Sequence, residues 1–159
     1  MSTPTTDKDL VETHRHPHDG DLSKAIELRG RVKADGTRSP KMILIDDDPS
    51  FTAILARFAA LEGIELDTFN SLSELGFVAL LRNYDVAIID YDLGALNGVE
   101  IAEYMSSLLD DMPMVLISAS DRSEEIAQCP CCIRAFINKS AGFDKILETA
   151  RLCVTAKAS

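Results

Sequence analysis

Three runs of apolar residues, at 42–45, 86–89 and 114–117, most strongly constrain how this chain can fold. None of these runs alternates with polar residues, so each is expected to be a strand that is buried on both faces. Strands of this kind occur in parallel sheets that carry helices on both sides. The pattern therefore predicts an α/β protein built around a parallel sheet.

Segments with helical periodicity lie between these strands and continue almost to the end of the chain. The predicted helices are residues 50–61, 72–81, 99–109, 121–128 and 143–154, and two further strands are residues 64–69 and 133–137. A helix follows each strand, and five such units predict one doubly wound (βα)5 domain over residues 41–157.

An N-terminal extension, residues 1–40, precedes the predicted domain. Residues 1–20 are rich in Thr, Asp, His and Pro without any periodicity, so we predict that they are disordered. Residues 21–33 carry a short apolar stripe and are predicted to be helical only when they pack on the domain or on a second copy of it. Residues 34–40 are predicted to be a linker.

The net charge of −10 lies entirely in the predicted domain. Residues 1–40 contain seven basic and seven acidic side chains, whereas residues 41–159 contain nine basic and nineteen acidic ones. Binding to the phosphates of nucleic acid requires clustered Lys and Arg, so no nucleic-acid partner is expected. An acidic surface fits a metal cation or a basic protein partner instead.

Two further features bear on the cellular location. No stretch approaches the ~20 apolar residues of a membrane span, and the first residues contain no apolar signal segment, so we expect a cytoplasmic protein without a membrane partner. The cysteines do not have the spacing of a secreted disulfide framework and are expected to be reduced. A metal or redox role for Cys129, Cys131 and Cys132 stays open, although no fourth ligand is near in the sequence.

Polar side chains follow the predicted strands where these end. They are Asp46, Asp47 and Asp48 after the first strand, Asp90 and Asp92 after the third, Ser118 after the fourth and Lys139 after the fifth. Ligands of such sheets bind beyond the carboxyl ends of the strands, so these groups are expected to converge. Clustered carboxylates repel one another and need a cation, and all-oxygen ligands suit Mg²⁺. One carboxylate could act as a nucleophile that forms an aspartyl phosphate.

The order and spacing of these motifs over residues 41–155 resemble the receiver domain of two-component response regulators. The motifs that carry the resemblance are Met-Ile-Leu-Ile-Asp46-Asp47-Asp48-Pro49, Asp85-Val-Ala-Ile-Ile-Asp90, Asn97-Gly98, Ser118-Ala119 and Lys139. The resemblance implies a flavodoxin-like fold with the strand order 2-1-3-4-5. It also implies a stand-alone receiver, because only a few residues follow the last predicted helix.

The resemblance further implies the role of each site residue. Asp90 would accept a phosphoryl group from a histidine kinase or phosphotransfer protein. Asp46, Asp47, Asp90 and the backbone carbonyl of Asp92 would hold Mg²⁺. Ser118 and Lys139 would grip the phosphate, and Phe136, at the aromatic switch position, would follow Ser118. Such a protein is a phosphoacceptor with self-catalysed phosphotransfer and dephosphorylation, and it is not an enzyme in the usual sense. It signals to a downstream protein through its surface. A homodimer is also possible.

The sequence departs from the family pattern at one position. Ser140 follows Lys139, where the family usually has a proline, and this argues against the cis peptide bond expected there. Simple structural roles are expected for three other residues: Asp48 as a helix N-cap, Gly98 as a turn or helix-start glycine, and Asp92 with its side chain in solvent.

Two alternatives to a phosphorylated receiver remain at the level of the sequence. One is a receiver fold that binds its partner without phosphorylation. The other is a phosphatase of the haloacid-dehalogenase type, because Asp90-Tyr-Asp92 after a buried strand also resembles the nucleophile motif of that family. In that enzyme Asp92 would be the general acid.

Overall fold

A computed structural model describes residues 38–75, 83–109, 111–127 and 132–157 of the chain. Its main sheet contains five strands, all paired in parallel, in the order β2-β1-β3-β4-β5. These are β1 (Lys41–Ile45), β2 (Glu65–Phe69), β3 (Val86–Asp90), β4 (Met114–Ser118) and β5 (Ile133–Asn138). The predicted sheet and its strand order are confirmed. The order reverses between β1 and β3, which is where a doubly wound sheet binds its ligand.

Within the described ranges, four α-helices connect or follow these strands. They are α1 (Pro49–Leu61), α2 (Gly98–Leu108), α3 (Ser123–Ile126) and α4 (Phe143–Lys157). Two short 3₁₀ helices, Leu72–Leu75 and Lys139–Ala141, and a small antiparallel hairpin of Asp92–Leu93 with Leu96–Asn97 complete the regular structure of the described residues. None of the helices among these residues is long and apolar enough to cross a membrane.

The core consists of two layers, one on each face of the sheet. Consecutive residues of β1, such as Ile43 and Leu44, face opposite layers, and both are fully buried. Helices α1 and α4 cover the layer that contains Leu44, and α2 covers the layer that contains Ile43. Burial on both faces explains why residues 42–45, 86–89 and 114–117 are all apolar.

Two predicted helices differ from the described structure at their starts. In the helix predicted at 72–81, Leu72–Leu75 form a 3₁₀ helix, and residues 76–82 lie outside the described part of the chain. Helix α3 begins two residues later than predicted, because the Asp121 carboxylate accepts a hydrogen bond from the Ser123 amide and forms a turn.

The buried face of α1 does not include all of its large apolar residues. Ile54 and Leu61 share helical spacing with the buried Leu55, yet Ile54 is 42% and Leu61 is 84% exposed. The face that packs against the sheet instead includes the smaller Thr52 and Ala59. This leaves large apolar side chains of α1 in contact with solvent.

The chain is anchored to the domain before β1 begins. The guanidinium of Arg38 donates two hydrogen bonds to the Asp85 carboxylate, at 2.7 and 2.9 Å, and the Lys41 amide donates a third at 2.7 Å.

Residues 1–37, with the helix predicted at 21–33, lie outside the described residues, as do Cys129 and Cys131. Burial raises the pKa of the Cys153 thiol, which disfavours the reactive thiolate there.

Candidate functional site

The carboxyl ends of β1 and β3 bring three aspartates together. Asp46 directly follows β1 and is fully buried, Asp90 ends β3 and is nearly so, and Asp47 is exposed. One carboxylate oxygen of each lies within 4.8 Å of the other two. The cluster is therefore open to solvent on the side of Asp47.

The turn after β1 separates the roles of its three consecutive aspartates. The Asp46 amide donates to the Phe69 carbonyl of β2, and the Asp46 carboxylate accepts a hydrogen bond of 2.9 Å from the Asp48 amide. Asp48 in turn accepts hydrogen bonds from the amides of Ser50 and Phe51. The predicted N-cap role of Asp48 is confirmed: its carboxylate caps α1 and does not belong to the cluster.

Lys139 reaches the cluster from the end of β5. Its ammonium donates a hydrogen bond of 2.9 Å to Asp90 Oδ2 and forms an ion pair of 2.7 Å with Asp46 Oδ2. The same ammonium lies 4.5 Å from the ring centroid of Phe51, a cation–π contact. One cation thus bridges both buried carboxylates.

The residue after Lys139 explains how this segment folds without proline. The Ser140 amide donates a hydrogen bond of 2.9 Å to the Asn138 side chain, which caps the 3₁₀ turn. Proline has no amide proton and could not make this bond. The described residues contain no cis peptide bond, in agreement with the expectation from Ser140.

Burial and charge oppose each other in this cluster. Burial raises the pKa of Asp46 and of Asp90, and the hydrogen bonds and charge of Lys139 limit that rise. Burial works to lower the pKa of Lys139, but its two carboxylate partners outweigh it and raise that pKa. The ion pairs therefore keep Lys139 protonated.

The donor set of the cluster fits a hard divalent cation. Three ionised carboxylates and one ammonium leave two negative charges, which Mg²⁺ would neutralise. Although Asp46 Oδ2 is buried and close to Lys139, it receives no hydrogen bond of good geometry from any described residue. The three candidate donor groups are carboxylates, and Mg²⁺ prefers such oxygen ligands.

Asp92 and Ser118 meet beside the cluster. The hydroxyl of Ser118, which is fully buried, donates a hydrogen bond of 3.2 Å to Asp92 Oδ2. Arg122 lies 3.4 Å from Asp92 Oδ1, with its guanidinium 4.9 Å from the ring centroid of Tyr91. The Asp92 side chain is half exposed, in agreement with the expectation that it lies in solvent, but it also contacts Ser118 and Arg122.

Sequence reasoning missed Arg122. Its position four residues after Ser118 carries no motif, and only the opposite charges of Arg122 and Asp92 hint at a contact between the two loops.

Gly98 lies against the backbone of Asp90 and Tyr91, at the start of the loop that carries Asp92. The Gly98 amide donates a hydrogen bond of 2.8 Å to the Tyr91 carbonyl, and a Cβ at Gly98 would lie 2.6 Å from the Asp90 carbonyl oxygen. Glycine is therefore required by this close approach, beyond the helix start expected from the sequence. Phe136 is partly buried and packs in the layer covered by α2.

Comparison with known proteins places these features in a family. A sequence model described as the response regulator receiver domain matches residues 42–151. The regulatory protein VirG of Agrobacterium tumefaciens is 24% identical over 110 residues, which cover 69% of this chain and 40% of VirG. The transcriptional regulatory protein PrrA of Mycobacterium tuberculosis is 29% identical over 84 residues, 53% of this chain and 36% of PrrA. The chain thus spans less than half of these relatives.

Solved structures show the same fold. The response regulator TrrA of Thermotoga maritima, in complex with Mg²⁺ and beryllium fluoride, has a TM-score of 0.62 and 23% identity, covering 72% of this chain and 98% of its own. A response regulator receiver domain protein from Methanospirillum hungatei has a TM-score of 0.66 and 19% identity, covering 76% of this chain and 97% of its own. With this fold and the match over residues 42–151, the chain belongs to the response regulator receiver domain family.

Proposed function

We propose that this protein is a phospho-accepting response regulator that takes a phosphoryl group onto Asp90. The observation that carries the proposal is the environment of Asp90: it ends a buried strand, is hydrogen-bonded by Lys139 and shares a carboxylate cluster with Asp46 and Asp47. Of the three aspartates only Asp47 is exposed, so a phosphodonor would reach the cluster from the side of Asp47. The phosphatase alternative does not fit, because this chain belongs to the receiver family.

The chemistry is a phosphoryl transfer between two nucleophiles. A carboxylate oxygen of Asp90 attacks phosphorus, the P–N bond of a phosphohistidine breaks, and its electron pair remains on the imidazole, which takes a proton from solvent. Lys139, and Ser118 after a rearrangement, donate hydrogen bonds to the phosphoryl oxygens. Mg²⁺, when held by Asp46, Asp47, Asp90 and the backbone carbonyl of Asp92, supplies the positive charge that offsets the incoming phosphate.

The proposed phosphodonor is a histidine kinase or a phosphotransfer protein in the cytoplasm. Helix α1 starts at the acidic cluster and carries Ile54 and Leu61 as exposed apolar side chains, with Phe58 beside them at the edge of exposure. Positions 54, 58 and 61 share one face of a helix, and an exposed apolar face of this kind favours a protein contact. We assign the docking of the donor to this face of α1, next to the entrance of the site.

The proposal is tested by phosphoryl incorporation from a small donor. Intact mass of the full chain after incubation with acetyl phosphate and Mg²⁺ is expected to rise by one phosphoryl group, and EDTA is expected to prevent this gain. A receiver fold that binds its partner without phosphorylation would show no gain in mass, and that result would contradict the proposal.

Magnesium binding is expected to depend strongly on Asp47. Asp47→Asn should weaken Mg²⁺ binding roughly tenfold or more, because it removes a direct carboxylate ligand at the open side of the cluster. Calorimetric titration with Mg²⁺ alone measures this, and Asp46→Asn is expected to have the next largest effect. Asp48→Asn is the matched control, since it removes the neighbouring charge and keeps a good N-cap.

The same Asp47 variant tests the repulsion within the cluster. In EDTA its thermal midpoint is expected to equal or exceed that of the wild type, because one of three like charges is removed. A clearly lower midpoint would show that Asp47 stabilises the metal-free fold and would contradict the charge argument.

A further inference from the structure

The hydroxyl of Ser118 already has an acceptor in this structure. It donates to Asp92 Oδ2 at 3.2 Å and accepts a hydrogen bond of 3.1 Å from the Ser120 amide. A serine hydroxyl has a single proton to donate. The bond to Asp92 and a bond to a phosphoryl oxygen on Asp90 are therefore mutually exclusive.

Asp92 is held in position to accept this proton. Its other carboxylate oxygen lies 3.4 Å from Arg122, and the Arg122 guanidinium rests over the Tyr91 ring. The Asp92 amide also approaches Asp90 Oδ1 at 3.4 Å, which keeps the start of the hairpin against the phosphoacceptor. Since both carboxylate oxygens have a partner, the side chain is directed to Ser118 although it is half exposed.

We propose that Asp92 is a positioning residue that holds Ser118 in the unphosphorylated arrangement and competes with the phosphoryl group for the Ser118 proton. The inference rests on the proposed function of Asp90. On phosphorylation Ser118 exchanges the Asp92 carboxylate for a phosphoryl oxygen, and Arg122 remains as the partner of Asp92. The cost of breaking the Ser118–Asp92 bond opposes the switch, so Asp92 sets how readily the domain adopts its phosphorylated form.

A double-mutant cycle with beryllium fluoride as the phosphoryl mimic tests this competition. The four full-length proteins are the wild type, Asp92→Ala, Ser118→Ala and the double variant, and calorimetry at saturating Mg²⁺ gives the dissociation constant of beryllium fluoride for each. Asp92→Ala leaves the proposed backbone ligand of the metal in place. It is expected to tighten binding roughly fivefold when Ser118 is present, the effect of a partly exposed hydrogen bond to a charged group.

The Ser118→Ala background separates competition from simple repulsion. If Asp92 acts through Ser118, Asp92→Ala should change binding by less than about twofold there, because no hydroxyl remains to be released. Asp92→Asn, which keeps an acceptor oxygen but loses the charge, should lie between the wild type and Asp92→Ala. Equal tightening with and without Ser118 would mean that charge alone acts, and would overturn the inference.

The same titrations distinguish this inference from the proposed function. If the wild type binds beryllium fluoride and Asp92→Ala does not change the affinity, the role of Asp92 is refuted and Asp90 remains the proposed acceptor. A wild type that does not bind beryllium fluoride with Mg²⁺ at all refutes both.

Discussion

Replacement of Lys139 by methionine is expected to destabilise the metal-free domain by about 3 kcal/mol or more. Lys139 is the cation that contacts both buried carboxylates, at 2.7 Å from Asp46 and 2.9 Å from Asp90. Methionine preserves much of the length of the side chain but leaves these charges without a partner. Removal of one member of a buried ion pair costs more than the pair itself contributes, because the remaining charges stay desolvated. Urea denaturation in EDTA measures the loss.

The pH dependence of that loss has a definite sign. Burial raises the pKa of Asp46 and Asp90 in the folded wild type, and removal of Lys139 should raise both further. A carboxyl group with a higher pKa in the folded than in the unfolded state destabilises the fold at pH values above the folded pKa. This destabilisation disappears when the pH is low enough for the group to be protonated in both states. The deficit of Lys139→Met should therefore be largest near neutral pH and shrink as the pH falls through the raised pKa values.

An exposed ion pair provides the matched control. Lys145 pairs with Glu148 at 2.9 Å, but both side chains are more than half exposed. Lys145→Met should change the free energy of unfolding by less than about 0.5 kcal/mol. Similar losses for the two variants, or a deficit of Lys139→Met that does not shrink at low pH, would contradict the description of the cluster.

Gly98→Ala is expected to destabilise the domain by about 2 kcal/mol and to slow phosphoryl incorporation. The added Cβ would lie 2.6 Å from the Asp90 carbonyl oxygen and 2.9 Å from the Tyr91 Cα, and both are backbone atoms that cannot rotate away. Helix propensity alone predicts the opposite sign, because alanine is better than glycine in a helix by about 1 kcal/mol. Urea denaturation and the rate of mass gain with acetyl phosphate measure the two effects.

Gly63 distinguishes a steric clash from backbone strain. It has a positive φ of 68° after α1, and a Cβ there would meet nothing within 4 Å. Gly63→Ala should cost about 1 kcal/mol for the left-handed backbone and leave phosphoryl incorporation unchanged. If Gly98→Ala were neutral or stabilising, the close approach of α2 to the backbone of Asp90 and Tyr91 would be wrong.

The sheet could be predicted from the sequence because its strands are buried on both faces. That burial requires the apolar runs 42–45, 86–89 and 114–117 within β1, β3 and β4, a pattern that a helix with one exposed face does not need. The residues that end these strands could be predicted to converge for the same reason, since parallel strands share one carboxyl edge.

The buried face of α1 could not be predicted from hydrophobicity alone. A helix that packs closely on a sheet can present small side chains to it, so Thr52 and Ala59 are buried while Leu61 is largely exposed. Apolar residues that serve a partner have the same periodicity as core residues.

The contacts of Asp92 depend on loop geometry, which local sequence does not encode. Asp92 and Arg122 are thirty residues apart and meet because β3 and β4 are neighbours in the sheet. The sequence predicted that Asp92 and Ser118 would lie at the same edge of the sheet, but it contains no motif that predicts the contact between Asp92 and Arg122.

The most direct measurement of the central claim is the location of the phosphoryl group. After incubation with acetyl phosphate and Mg²⁺, intact mass of the wild type should show one phosphoryl group that hydroxylamine removes, as expected of an acyl phosphate. Asp90→Asn should show none, whereas Asp48→Asn, the control at a neighbouring aspartate outside the cluster, should be phosphorylated like the wild type. Phosphoryl incorporation that persists in Asp90→Asn would contradict the assignment of Asp90 as the acceptor.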